Sequence, residues 1–347
     1  GPSPRQHVQP GSDDETANIK RATIRQVLEH QLHNVRACDR VLDQERTLPI
    51  GDPDGVTVTE PAEPGQAMAF LDEEYEAIQR GIRLATDQRL EGYEWLLSMA
   101  LVTYQWHRHL LHDALTNLKD AADAAESIAT PVDRAMVQRM LAGTRWRLGQ
   151  YDLTVGYLRR AVLLSEEDRS AAGRLSLARS LHRLGITLRK QGDRTSAEEA
   201  LCQALELCKA VADPVGEAAA LNALGTLHLD RGEHDQALLR CTDALGVLGC
   251  TAERSGLADV LFTLAKVHVA CSERDEAVSL YRRACDIYRE QENWPSEHKT
   301  RRLFADVLVS VGKTEEAIRE LERVIVLREL MGLEGVPEVR DLLEGLR

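Results

Sequence analysis

Aromatic residues are scarce in this sequence: three Phe, four Trp and seven Tyr among 347 residues. Side chains that fit a pleated surface are therefore few, while Ala, Leu, Arg and Glu are plentiful, and the balance favours helix over sheet. Long apolar runs are also missing. None approaches the roughly 18 residues that a membrane-spanning helix needs, so no transmembrane segment is expected. Positive charge is in deficit, with 43 Lys+Arg against 56 Asp+Glu and a formal net charge of −13. That deficit argues against direct nucleic-acid binding or adsorption to anionic lipid. The seven cysteines (Cys38, Cys202, Cys208, Cys241, Cys250, Cys271 and Cys285) are odd in number, scattered, and never spaced Cys-x-x-Cys. This speaks against a disulfide framework or a zinc module and for reduced, mostly buried thiols in a cytoplasmic protein. There is no initiator Met and no apolar signal core at the start. Gly1-Pro2-Ser3 reads as a protease-cleavage scar, residues 1–12 as a tag remnant, and the chain as a piece of something longer.

Proline is unevenly spread. Seven of the eleven lie at or before Pro64, and from Gly65 onward only Pro131, Pro214, Pro295 and Pro337 remain. So long a stretch with so few breakers predicts helices whose boundaries the prolines mark. Before it, residues 13–66 divide into an amphipathic helical linker (Ile24, Val27, Leu28, Leu32, Val35, Val41, Leu42) and a Pro/Gly/Asp-rich connector from Pro49 that crosses the surface.

Internal repetition sets the fold. Leu184-Gly185, Gly192, Ala197 and Ala204 recur 40 residues on as Leu224-Gly225, Gly232, Ala237 and Ala244. Two weaker copies follow at the same step: Leu264-Ala265, Ser272, Ala277, Ala284, and Phe304-Ala305, Gly312, Ala317, Val324. Upstream, Leu141-Ala142, Gly149, Thr154 and Ala161 fit after a 43-residue step, and Leu101-Val102, Ala114 and Ala121 fit 40 before that. Two antiparallel helices approach closely only where side chains are small, and the turn between them favours Gly. The pattern therefore predicts an all-α, right-handed superhelix of about six hairpins with a period near 40 residues. The repeats fall near 95–131, 135–170, 178–214, 218–254, 258–295 and 298–335 within a 67–347 array, closed by a capping helix over 337–346. Stability is shared between neighbours in such an array, and fraying is expected first at the degenerate first copy.

These small-residue positions resemble the tetratricopeptide repeat, whose signature places Leu-Gly, Gly and two Ala at the same offsets; the longer period resembles repeats of the kinesin-light-chain and MalT kind. Upstream, Arg21 to Ile50 and then Ala67 to Ala85 resemble the segment that joins the ATPase module to the repeats in AfsR-type (SARP) actinobacterial antibiotic regulators and related STAND proteins. That family's Trp-Leu-x-x-Glu-like helix start is answered here by Phe70-Leu71-Asp72-Glu73-Glu74. The resemblance implies the C-terminal sensor region of a STAND transcriptional regulator. Its partners would be the ATPase and DNA-binding modules of the full-length protein and a protein, peptide or small anionic ligand. The alternative is a free-standing adaptor or peptide-pheromone receptor with no nucleotide switch.

Catalytic chemistry finds little support. Gly312-Lys313-Thr314 lacks the Gly five residues upstream that a phosphate loop requires, and it falls at a hairpin turn. His107, His109 and His112 are read as turn histidines rather than metal ligands. Paired acids such as Glu73-Glu74, Glu166-Glu167, Glu198-Glu199 and Glu315-Glu316 are assigned mostly to helix starts. A non-enzyme with no metal and no cofactor in this stretch is expected.

Charge distribution is more informative. From Arg169 to Lys190 there are six cations and no acid. In the tetratricopeptide family, positions two, five, six, nine, twelve and thirteen of each first helix face the ligand, counting the Gly/Ala of Leu-Gly/Ala as position eight. Carried over, these imply a groove of Arg139, Met140, Trp146, Arg147, Arg179, His182, Arg183, Ile186, Arg189, Lys190, Asn222, Thr226, Phe262 and Lys266, with Leu229, Asp230, Val269, Arg302 and Asp306 beside it. Either this cluster takes an acidic peptide or anionic metabolite, with Asn222 gripping a peptide backbone, or acids on the second helices such as Glu198 and Glu199 neutralise it. Met136, Met140 and Trp146 are weighed as core before ligand patch. Self-association is left open.

Overall fold

The computed structural model describes residues 11–43, 46–53, 55–249, 255–331 and 337–346. Among them the fold is all-α, with fifteen helices and no strand. Helices α1 (Gly11–Leu42) and α2 (Pro64–Asp87) precede three hairpins: α3 (Glu91–His107) with α4 (Leu111–Ile128), α5 (Pro131–Arg147) with α6 (Tyr151–Glu166), and α7 (Ala171–Gln191) with α8 (Arg194–Ala210). Three more follow: α9 (Pro214–Asp230) with α10 (His234–Leu248), α11 (Ser255–Ala270) with α12 (Arg274–Glu290), and α13 (Trp294–Ser310) with α14 (Thr314–Leu330). Helix α15 (Pro337–Leu346) comes last. The chain divides into two compact units, Gly1–Asp168 and Arg169–Arg347. The tag remnant read at the start and Cys250 fall wholly or largely outside the described residues.

The repeat register is visible in one backbone angle. Every hairpin turn places a residue in the left-handed region at the same frame position: His109 (φ 55°), Gly149 (71°), Gly192 (89°), Gly232 (75°), Ser272 (67°) and Gly312 (79°). Four copies use Gly, which adopts this conformation freely; His109 and Ser272 do so at a cost of about 1–2 kcal/mol. The two small positions on each second helix are sealed. Ala114, Ala121, Ala161, Ala197, Ala204, Ala237, Ala244, Ala277, Ala284, Ala317 and Val324 have no accessible surface, and Thr154 has 2 %. At Gly185 the two helices of a hairpin meet closely, since a Cβ there would sit 2.6 Å from Leu201 Cγ and 3.0 Å from the Ala197 carbonyl oxygen. Pro131, Pro214, Pro295 and Pro337 each stand in the first turn of a helix, where a missing N–H costs nothing. Thr130, Ser170, Asp193, Asp213 and Asn293 cap their helices by accepting a backbone N–H three residues on.

In the first unit, the C-terminal half of α1 lies against α3, burying Leu28, Leu32, Val35 and Cys38 in one core with Leu97, Met99, Leu101, Met136 and Met140. The connector does more than cross the surface, because Leu48 and Ile50 join that core and Asn34 holds it at the Thr57 carbonyl and the Thr59 N–H. Arg46 reaches back to the Asp39 carboxylate, to Thr103 Oγ1 at 2.6 Å and to Met140 Sδ at 3.3 Å. The first hairpin is therefore covered by α1 and α2, which removes the reason for expecting it to fray first. Phe70-Leu71 lies inside α2 rather than at its start, and of the four acidic pairs only Glu315-Glu316 occupies a first helical turn.

Candidate functional site

The candidate groove positions behave differently in the two units. In the first, they are engaged internally. Arg139 is buried and partnered. Arg147 stacks its guanidinium 3.8 Å from the centre of the Trp106 ring and donates to the Gly143 carbonyl. Trp106 in turn donates Nε1–H to Thr144 Oγ1 at 2.9 Å, and Trp146 packs edge-on against Tyr151. Met136 and Met140 are core residues. Thr103 and Met140, both at ligand-facing frame positions, are covered by the chain's own Arg46.

In the second unit the corresponding face holds a cavity of about 200 Å³ between α7, α9 and α11. Five residues named from the sequence line it: His182, Ile186, Arg189, Asn222 and Thr226. They come together because positions five, nine and twelve of a first helix share one face, and successive first helices lie side by side. The remaining walls are Ala219, Ala223, Gly256, Asp259 and Val260. Two of these, Ala219 and Asp259, stand at position two of the fourth and fifth copies; the same frame that supplied Asn222 could have supplied them. Asp259 accepts a hydrogen bond from the Tyr288 hydroxyl. Arg179, Arg183 and Lys190 lie exposed on α7, with Arg183 already partnered.

The cavity's polar groups are unevenly satisfied. Asn222 Oδ1 is buried and has no hydrogen-bond partner, an arrangement that costs roughly 1–3 kcal/mol until a donor arrives. His182 is held neutral, its pKa lowered to about 4 by desolvation and by the Arg183 charge, against the pull of a hydrogen bond to the Ala219 backbone. Arg189 donates to Asp230 at 2.5 Å. Neutralisation here comes from an acid on a first helix. Glu198, on a second helix, pairs instead with Arg231 at 2.6 Å.

Further along the same face, Lys266 on α11 and Lys299 on α13 place their ammonium groups 5.9 Å and 4.9 Å from the centre of the Phe262 ring. Burial lowers the pKa of both, the charges of Arg189 and Lys190 add to that effect at each, and that of Lys299 adds to it at Lys266, while Asp230 opposes it at Lys266 and Asp259 at Lys299. Lys299 is position two of the sixth copy and, like Ala219 and Asp259, escaped the sequence reading, which took that position only at Arg179. Among the described residues, no group of three or more His, Cys, Asp or Glu side chains is arranged to hold a metal ion, and no helix is long and apolar enough to cross a membrane. His109 occupies the turn of the first hairpin and Gly312 that of the sixth.

Side-by-side helical hairpins closed by buried alanines define a helical-repeat interaction scaffold. The tetratricopeptide-repeat profile matches residues 133–210 and 176–248, so this stretch consists of tetratricopeptide repeats, a protein-interaction fold. No curated protein matches the chain. Among solved structures, the Rap conjugation gene regulator of plasmid pLS20, in complex with the Phr* peptide, is similar at 13 % identity and TM-score 0.55 over 76 % of this chain and 75 % of that one. Aspartyl phosphate phosphatase F of Bacillus subtilis matches at 11 % identity and TM-score 0.56, covering 100 % of this chain and 96 % of that one. A STAND protein with a tetratricopeptide-repeat sensor, PH0952 of Pyrococcus horikoshii, matches at 14 % identity and TM-score 0.53 over 77 % of this chain and 42 % of its own length. At these identities the likeness is one of fold.

Proposed function

We propose that the second unit is a peptide-binding module whose ligand lies along the first-helix face, over the cavity between α7, α9 and α11. The observation that carries this reading is the unpartnered Asn222 Oδ1 in the cavity wall. A peptide backbone offers N–H donors at regular spacing, and one of them would satisfy that oxygen. Neutral His182 and the Thr226 hydroxyl add donor and acceptor capacity beside it. In the first unit the equivalent positions are taken up internally by Trp106, Tyr151 and Arg46, and no ligand is assigned to them. No catalytic role, cofactor or metal enters this reading.

For context, the resemblance of residues 21–85 to the AfsR-type linker supports a sensor region that relays occupancy to ATPase and DNA-binding modules in secondary-metabolism control. Relay requires that ligand bind two states of the repeats with different affinity. The likeness to a Rap regulator seen in complex with the Phr* peptide supports a second reading, a free-standing adaptor or peptide receptor. The module itself is tested by panning a random peptide library on the full chain and measuring selected peptides against Asn222→Ala and against Arg183→Glu combined with Lys190→Glu. Binding should weaken at least tenfold in each, with helicity unchanged. Peptides that bind both variants as tightly as the parent would refute the assignment. Sequencing the natural gene for an upstream Gly-x-x-x-x-Gly-Lys-Ser/Thr motif separates the two contexts.

A further inference from the structure

The second unit gathers cations that the cavity alone does not use. Arg189 and Lys190 at the end of α7, Lys266 on α11 and Lys299 on α13 act on one another electrostatically, although they belong to three separate helices. Two acids answer them. Asp230 takes Arg189 directly at 2.5 Å, and Asp259, which accepts from Tyr288, attracts Lys299. Even with both acids ionised, four positive charges face two negative ones. The surplus is about two charges in a chain whose overall balance is −13. Folding has concentrated repulsion there rather than dispersing it, and the Phe262 ring, 4.9 Å and 5.9 Å from the two ammonium groups, offsets only part of it.

The geometry points to a subsite for a dianionic side-chain group of the bound peptide, held between Lys266 and Lys299 at the Phe262 ring, next to the stretch of backbone that reaches Asn222. This deepens the peptide reading above and rests on it. Two sources carry the required chemistry: a phosphorylated Ser or Thr, with a charge of about −1.5 to −2 near neutral pH, or two adjacent carboxylates. Each would relieve the lysine–lysine repulsion and form charge-assisted hydrogen bonds to both ammonium groups. Lys190, exposed at the rim, adds long-range attraction that salt would screen. Arg189 is committed to Asp230 and mainly fixes the wall.

The test uses the full chain and three capped probes: acetyl-Ala-phosphoSer-Ala-amide, acetyl-Glu-Glu-amide and acetyl-Gln-Gln-amide, each titrated by calorimetry and by NMR at low ionic strength. The expected result is binding by one or both dianionic probes and none by the Gln-Gln probe. Affinity should fall about tenfold or more in Lys266→Gln and again in Lys299→Gln, and should be unaltered in Lys119→Gln, an exposed cation on α4 of the first unit. Whichever dianionic probe binds more tightly identifies the source. Failure of both dianionic probes, or binding that ignores the two lysine substitutions, overturns the subsite. The peptide reading fails separately, if library-selected peptides are indifferent to Asn222→Ala while the dianions still bind. Circular dichroism of each glutamine variant guards against misfolding; should one fail to fold, Lys→Arg at the same position keeps the charge and should retain binding.

Discussion

The close approach of α7 and α8 makes Gly185 an exacting position in the second unit. In Gly185→Ala the new methyl carbon would sit 2.6 Å from Leu201 Cγ, 2.8 Å from its Cδ2 and 3.0 Å from the Ala197 carbonyl oxygen. Leu201 has no accessible surface and cannot swing aside. The two helices must separate, and with a buried side chain and a backbone oxygen both in the way the overpacking cost lies in the upper part of its usual range, about 2–3 kcal/mol. Against this stands the helix propensity of Ala over Gly, about 1 kcal/mol in favour. The net expectation is a loss of roughly 1–2 kcal/mol. Gly156, on the exposed side of α6, is the control: a methyl there would meet nothing within 4 Å, and the same substitution should stabilise by about 0.5–1 kcal/mol. Urea unfolding followed by circular dichroism gives both values. The double variant Gly185→Ala with Leu201→Ala should lose less than the two single losses together, because the truncated leucine vacates the space that the methyl enters. A neutral or stabilising Gly185→Ala, or strict additivity in the double variant, would refute the close-approach argument.

Three further expectations concern other parts of the chain. Because the folded state holds the His182 pKa at about 4 and the unfolded chain releases it to 6.5, the unfolded state binds more protons between these values. Stability present above pH 6.5 should therefore be lost as the pH falls towards 4, by up to roughly 3 kcal/mol, and thermal melts of His182→Gln should show that slope flattened. Arg46→Ala leaves the buried Asp39 carboxylate with Thr103 as its remaining polar partner and should cost about 3–5 kcal/mol in unfolding experiments at pH 7, a loss that Asp39→Asn in the same background partly recovers. At the fifth hairpin turn, Ser272→Val should destabilise by about 1–2 kcal/mol because a β-branched residue fits φ 67° poorly, whereas Ser272→Gly should not lower the melting temperature.

Local periodicity made the hairpins legible because one physical requirement, a small residue at each close helix contact, is repeated at a fixed interval. The 40-residue step carried even to His109 and Ser272, where the residue type differs and the left-handed backbone persists. Contacts that join distant parts of the chain left no such trace. Arg46 meets Thr103 and Met140 across 57 and 94 residues, and nothing in the residue types near 46 announces that the connector will cover the first hairpin. Arg147 looked like a groove cation and is spent on Trp106 for the same reason: the partner comes from the preceding hairpin, and a charge count along one helix does not see it.

The position-two residues separate a pattern from its consequence. Ala219, Asp259 and Lys299 occupy the same frame position in three successive copies, and each differs in size and charge. The first leaves room for the cavity, the second closes its wall through Tyr288, and the third places an ammonium 4.9 Å from Phe262. Equivalent backbone positions thus carry three unlike tasks, because the neighbours differ from copy to copy: Ala219 meets His182, Asp259 meets Tyr288 and Lys299 meets Phe262. A repeat with identical residues at these places would bind nothing in particular. The backbone scaffold can tolerate this variation because its closure depends on the alanines of the second helices, which are sealed whatever the first-helix face displays. Specificity and stability are therefore written in different positions of the same 40 residues, and substitutions at Asn222, Lys266 or Lys299 should alter binding without lowering the unfolding midpoint, since each removes an unpartnered oxygen or a repelled charge.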